Sequence, residues 1–228
     1  MVDNMLQLEH VKKSYNKTEV LSDVTYIFNK GQIYSILGGQ GSGRSTLLEC
    51  ICGDLSIDSG EITIKEKSAV FYAAKQSVLP MYVTGYEFLE MLCDMNKKAK
   101  EPEYYLDKVH FSEDTRDELI CDYTFEDKKR LQLAAFLIQK PYIIMFDEPF
   151  DYCSDAYIDE FLEVLRTMQD DHIIIISTGL LDISQRISDD AVVLNNGELN
   201  LVSKETMEIP EIREAVLDIL GEADNEII

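Results

Sequence analysis

The sequence predicts an α/β protein whose central sheet is covered on both faces, and three observations carry that prediction. Two near-continuous apolar runs, Tyr142-Ile143-Ile144-Met145-Phe146 and His172-Ile173-Ile174-Ile175-Ile176-Ser177, have the pattern of strands buried between layers of helices. A third apolar run, residues 33–37, leads into Gly38-Gly39-Gln40-Gly41-Ser42-Gly43-Arg44-Ser45-Thr46, which opens into helical sequence over 45–51. From residue 83 to about residue 139 the periodicity is helical, so a helical lobe interrupts the α/β pattern.

Taken in order, Leu6, Leu8 and Val11 are spaced for an edge strand, 20–28 is the next strand, and Asn29-Lys30-Gly31-Gln32 turns the chain into 33–37. Residues 53–60 form a polar connection. Glu61-Ile62-Thr63-Ile64-Lys65 alternates with period two, as a half-buried strand does, and Ala69-Val70-Phe71-Tyr72-Ala73 is a short strand ending near Gln76. Helices are expected over 86–92, 102–109 and 128–138, with a strongly acidic stretch at 101–127. An amphipathic helix over 156–168 separates the two apolar runs. Ala191-Val192-Val193-Leu194, the turn Asn195-Asn196-Gly197, a short strand and a helix within 210–220 complete the pattern. The expected organisation is a single domain: a core of about 1–76 and 140–205, a helical lobe of about 77–139, and a C-terminal helix of about 206–221.

A chain of 228 residues with 46% hydrophobic content can bury one sizeable core. Its 43 acidic against 21 basic residues, a formal net charge of −22, exclude the Lys/Arg stripe of a nucleic-acid footprint and direct binding to anionic lipid. No apolar run approaches the roughly 20 residues of a membrane span, so no direct membrane insertion is expected. Met1-Val2-Asp3-Asn4 carries no basic segment before an apolar one, so no secretion signal is expected either. Five cysteines without a CxxC pair, and scattered His10, His110 and His172, argue against a metal cluster or a disulfide framework. A reduced, cytoplasmic setting follows.

The chemistry is carried by two constellations. In the strand–loop–helix context, glycines at 38, 41 and 43 allow successive backbone N–H groups to turn toward anionic oxygens, and the helix N-terminus adds partial positive charge. Gly38, Gly39, Gln40, Gly41, Ser42, Gly43, Arg44, Ser45 and Thr46 are therefore the candidate phosphate-binding residues, with the Ser45 hydroxyl placed for Mg²⁺. The pattern expects Lys at position 44 and finds Arg. The second constellation is Asp147-Glu148 at the end of an apolar strand, which puts two carboxylates at the carboxyl edge of the sheet. There Asp147 is a candidate for the metal and Glu148 for orienting or deprotonating an attacking water.

With these residues in place, the chain resembles the nucleotide-binding subunit of an ATP-binding cassette (ABC) transporter over about residues 6–201. Leu48-Glu49-Cys50-Ile51-Cys52-Gly53 and Asp58-Ser59-Gly60-Glu61-Ile62 resemble the family's exit from the loop helix. Arg130-Leu131-Gln132-Leu133-Ala134-Ala135-Phe136-Leu137 followed by Pro141 resembles its helix between the signature and the Asp-Glu strand. The resemblance implies a P-loop NTPase core of ABC type with an antiparallel β subdomain and an inserted helical lobe. It implies ATP and Mg²⁺ as cofactors, Tyr15 stacked on adenine, and Gln76 as the Q-loop residue that senses Mg²⁺ and the γ-phosphate. It also implies two partners, a membrane-spanning subunit and a second ATP-binding subunit, homo- or heterodimeric, at the inner face of the membrane.

Several positions depart from the family. The signature Leu-Ser-Gly-Gly-Gln becomes Tyr123-Thr124-Phe125-Glu126-Asp127, the switch His becomes Gly179, and the loop after the Asp-Glu strand reads Asp151-Tyr152-Cys153-Ser154. Both signature glycines are lost, and Glu126 and Asp127 would oppose a triphosphate; at ~4 Å two like charges repel by roughly 4 kcal/mol at an intermediate dielectric. Both halves of a composite site are altered. A homodimer would therefore hold two altered sites, while a heterodimer would pair each altered half with an ordinary one. The expected activity is ATP binding with weak or partner-dependent hydrolysis; the alternative is a non-hydrolysing nucleotide-sensing adaptor. The cargo stays open.

Overall fold

The computed structural model of the protein describes residues 5–64, 70–151 and 153–221. The Lys65 end of the alternating strand, the start of the next at Ala69, and Tyr152 lie outside the described residues. The chain divides into two compact units, one of residues 1–72, 142–149 and 169–228, the other of residues 73–141 and 150–168.

The first unit contains two sheets. Strand β1 (Met5–Tyr15) pairs antiparallel with β2 (Thr18–Asn29) on one side and β4 (Ser59–Thr63) on the other. A six-stranded sheet runs β5-β6-β7-β3-β8-β9, where β3 is Gln32–Leu37, β5 Val70–Ala73, β6 Ile143–Asp147, β7 Ile173–Thr178, β8 Asp190–Asn195 and β9 Glu198–Val202. β6, β7, β3 and β8 are parallel neighbours, and β9 closes the edge antiparallel to β8. Every residue of β6 and β7 is buried, as their unbroken apolar sequence requires.

Helix α1 (Arg44–Cys52) leaves the loop and buries Leu47, Leu48, Cys50 and Ile51 in a core shared by both sheets, with Leu6, Phe28, Ile36, Met145 and Val192. The other face of β8 turns Ala191 and Val193 toward a second cluster with Leu181 of α7 (Leu181–Ile187), Met207 of α8 (Lys204–Met207) and Val216 of α9 (Pro210–Leu220). Successive residues of one strand thus serve opposite layers. β1 runs four residues past the expected Val11 because Lys13 lays its stem inward and brings Nζ 2.7 Å from the Ser56 carbonyl and 3.2 Å from Asp58.

The second unit is helical: α2 (Gly85–Met95), α3 (Pro102–Lys108), α4 (Glu113–Arg116), α5 (Phe125–Gln139) and α6 (Asp155–Arg166). A capping box starts α2, with Thr84 Oγ1 accepting from Glu87 N and Glu87 accepting from Thr84 N. Pro102 opens α3 at its first turn, where a missing N–H costs no hydrogen bond.

Candidate functional site

The close packing of the loop depends on what its glycines lack. A Cβ on Gly38 would meet Ser42 Oγ at 2.4 Å and the Leu194 carbonyl at 2.9 Å, and one on Gly43 would meet Val20 Cγ1 at 2.7 Å. Gly41 and Gly43 hold φ of +81° and +100°, which side-chain-bearing residues rarely adopt. On the outer side, a Cβ on Gly39 would strike the Ile219 carbonyl at 2.9 Å, so the last turn of α9 backs the loop. Ser42 Oγ is buried without a hydrogen-bond partner, a polar atom turned into the loop and awaiting an acceptor or donor. Gln40 is exposed at the tip, and Thr46 is half-buried in the first turn of α1. A cavity of about 460 Å³ borders Gly39, Gln40, Gly41 and Ser42, with Thr18, Glu19 and Val20 on its rim. Tyr15 pairs with Thr18 across the β1–β2 turn, its ring exposed.

The carboxylates come to the loop along β6. Ser45 Oγ donates to Asp147 Oδ2 at 2.7 Å, so the hydroxyl and carboxylate named for the metal are in direct contact. Ser177 Oγ donates to Asp147 Oδ1 and accepts from the Glu148 N–H at 3.0 Å. Tyr72 Oη lies 3.4 Å from Asp147 Oδ2, and burial, reinforced by the Asp147 charge, pushes its phenol well above the usual range. Hydroxyl plus carboxylate is the sparse protein contribution typical of Mg²⁺, which keeps waters and phosphate oxygens as its other ligands. Among the described residues no group of three acidic, His or Cys side chains offers a protein-only cage.

Arg44 is buried. Its Nη1 donates to the Gly38 carbonyl and its Nη2 to Glu148 Oε1, so the cation of the loop and the candidate base are partnered with each other. Glu148 sits at φ +44°, in the left-handed region, with its N–H fixed by Ser177.

Gln76 belongs to the second unit, is exposed, and follows Lys75, whose Nζ pairs with Asp151 at 2.9 Å. The segment in signature register is built into the helical unit. Tyr123 is buried against Phe111, and its hydroxyl accepts from the Gly85 N–H at 2.9 Å and donates to the Arg116 carbonyl at 3.2 Å. Thr124 caps α5 by accepting from the Asp127 N–H at 3.2 Å, and Glu126 accepts from the N–H and hydroxyl of Ser154, at 2.7 and 3.0 Å. Asp127 thus bonds the N-cap of its own helix, accepting from Thr124 Oγ1 at 2.6 Å, while Glu126 bonds Ser154, the N-cap of α6.

The sequence missed Ser177, Tyr72 and Ile219. Ser177 alone had a signal: it ends the apolar run beside β6, and the parallel register sets it opposite Asp147.

A glycine loop at the carboxyl edge of a parallel sheet, joined through Ser45 to a strand-end Asp, defines a P-loop nucleotide-binding protein. Comparison with known proteins narrows this. The family model described as ABC transporter matches residues 21–151, more than half of the chain. The "Uncharacterized ABC transporter ATP-binding protein YxlF" of Bacillus subtilis (strain 168) is 26% identical over 205 residues, covering 86% of this chain and 70% of that protein. Among solved structures, cbiO1 from Clostridium perfringens, described as part of the ABC transporter complex cbiONQ, aligns with a TM-score of 0.75 at 24% identity, over 96% of each chain. The dimeric cassette MJ0796, bound to ADP and Pi in a post-hydrolysis state, aligns at 0.77 with 20% identity, over 87% of this chain and 98% of that one. At those identities the structural likeness speaks for the fold. The chain belongs to the ABC transporter family, as a nucleotide-binding subunit. The fold is the α/β P-loop cassette the sequence led us to expect.

Proposed function

We propose that this chain binds ATP with Mg²⁺ and serves a multi-component ABC transporter in which its own hydrolysis is weak or depends on a partner. The observation that carries the reading is that Ser45, at the end of the glycine loop, contacts Asp147 while Arg44 is bound to Glu148. Backbone N–H groups of residues 39–45, the Ser42 hydroxyl and the start of α1 would hold the phosphates, Ser45, Asp147 and Gln76 the metal, and Tyr15 the adenine. The nucleotide supplies the phosphoryl group, and Glu148 would orient the water. With its carboxylate engaged by Arg44, that duty is impaired.

No helix among the described residues is long and apolar enough to cross a membrane. In this reading the channel belongs to a separate membrane-spanning subunit, with this chain peripheral on the inner face of the membrane. A second ATP-binding subunit would complete the dimer. The functional division would follow a core of about 1–76 and 140–205, a lobe of about 77–139 and a C-terminal helix of about 206–221. A non-hydrolysing adaptor is favoured by one further observation: the first turn of α5, in register with the family's signature, carries the carboxylates of Glu126 and Asp127, which would oppose a partner's γ-phosphate.

Titration of the full chain with MgATP by calorimetry, alongside Pi release by wild type and Glu148→Gln, tests this. Saturable binding with slow turnover that Glu148→Gln abolishes supports the transporter ATPase. Binding with a rate indifferent to Glu148→Gln selects the adaptor, and no nucleotide binding overturns both.

A further inference from the structure

The helical unit has a cavity of its own, of about 550 Å³, bordered by the α2–α3 connection, α3 and the C-terminal ends of α5 and α6. Its charge is the reverse of the chain's. Over the whole sequence 43 acids face 21 bases, yet here Lys98, Lys100, Lys108 and Lys140 outnumber the two acids, Asp107 and Glu163. Lysines elsewhere are matched: Lys13 with Asp58, Lys30 with Asp171 and Lys75 with Asp151. Among the described residues the four at the cavity form no ion pair, although two carboxylates border it with them.

Helix ends account for part of this. Lys108 stands in the last turn of α3 and Lys140 caps α5, where a cation meets the final carbonyls favourably. Lys100 has no such reason, because it directly precedes the N-cap of α3, the end at which a cation is disfavoured. Its Nζ lies 3.6 Å from the centroid of the Tyr104 ring, and Lys108 Nζ lies 5.9 Å from the same ring. One aromatic face thus gathers two ammonium groups. Beside them, Tyr105 is 5% exposed and lines the cavity. Its hydroxyl accepts from the Lys100 N–H at 3.0 Å, and among the described residues no acceptor takes its proton. A buried hydroxyl with an unspent donor is a group that a ligand can satisfy.

We infer that this cavity is a binding site for a small organic anion carrying two or more phosphate-type groups. The lysines supply the opposing charge, and the Tyr105 hydroxyl donates the bond that fixes orientation. Leu137, Val164 and Met168 give the carbon skeleton an apolar wall, and the volume suits a molecule of metabolite size. No lining residue belongs to the glycine loop or to the strand-end acids, so the inference does not rest on the nucleotide-binding reading above.

Fructose bisphosphate is the probe, because it has two phosphate groups and a carbon skeleton but no base. It is titrated calorimetrically at fixed ionic strength into the full chain as wild type, Lys100→Gln/Lys108→Gln, Tyr105→Phe, and a control, Lys12→Gln/Lys30→Gln, that removes the same charge from the first unit. Thermal melts establish folding. Wild type should bind saturably and the control should match it. The Lys100/Lys108 pair should weaken binding by about tenfold, since each exposed charge counts for a few-fold. Tyr105→Phe should weaken it by about tenfold, the size of one hydrogen bond to a charged group. No saturable binding by wild type overturns the inference, and a glutamate-rich peptide that binds through the same lysines instead would assign the cavity to a protein partner. Equal weakening by the two lysine pairs also overturns it, since net charge alone would then explain binding. Weakening by neither pair overturns it by placing the anion elsewhere, the glycine loop included. Should Tyr105→Phe fail to fold, the lysine pairs decide alone.

Discussion

Replacing Ser177 with Ala is the most direct test of how the carboxylate edge is held. The Ser177 side chain is fully buried, and its hydroxyl makes two bonds, donating to Asp147 Oδ1 and accepting from the Glu148 N–H at 3.0 Å. Removing one oxygen leaves no cavity to collapse, so the cost is the two bonds. A hydrogen bond to a charged group contributes about 1.5–3 kcal/mol and a neutral one about 1 kcal/mol, which gives a loss of about 2.5–4 kcal/mol. In a chain of this size each kcal/mol moves Tm by about 2–4 °C, so the melting transition should fall by roughly 5–15 °C. Asp147 would also lose a donor that orients it, and MgATP affinity should drop by about tenfold or more, as second-layer partners of metal-site ligands do when removed. Urea unfolding and calorimetry read the two effects separately. Ser35→Ala is the control: Ser35 is equally buried but bonds to Ser184 and Ser188, so it should lower stability and leave nucleotide affinity alone. A loss for Ser177→Ala below about 0.5 kcal/mol, no larger than an ordinary surface change, would refute the arrangement.

Two further outcomes are expected. Gly38→Ala forces its methyl within 2.4 Å of Ser42 Oγ and 2.9 Å of the Leu194 carbonyl, so binding of MgATP should be lost by calorimetry while the far-ultraviolet circular dichroism of the fold persists. Burial pushes the thiols of Cys50 and Cys52 up to about 11 and that of Cys153 up to about 12, against an unperturbed 9.0. All three should alkylate with iodoacetamide at pH 8.5 more slowly than in guanidinium. The folded state keeps protons that the unfolded state releases, so stability contributed by these groups is present below about pH 9 and lost on going up toward pH 11–12. A urea midpoint that rises between pH 8.5 and 10.5 would contradict that sign.

The buried strands were the most legible part of the chain, because continuous apolar runs have few alternative structures. β1 was legible only as far as Val11, since a lysine at position 13 reads as surface until its Nζ is seen to reach Ser56 and Asp58. The first helix was expected from residue 86, one past the start of α2 at Gly85, although Thr84 and Glu87 spell a capping box. At the site, sequence named the loop and the two acids but not what Arg44 does. Its partners are a backbone carbonyl, a carboxylate 104 positions away, and the bare position 179, none of which local pattern can connect. Tyr123 was legible as a lost signature residue and illegible as a buried brace, because its partners Gly85 and Arg116 follow from packing.

The carbonyl of Ile219 against Gly39 has a consequence for how the protein comes into being. The loop is translated early and its outer support late, so on the ribosome the glycines of residues 38–43 exist long before the helix that backs them. A nascent chain halted before α9 would have its core strands but a loop free to sag outward. The loop therefore gains this neighbour only after residue 219 has been made, about 180 positions after its own glycines.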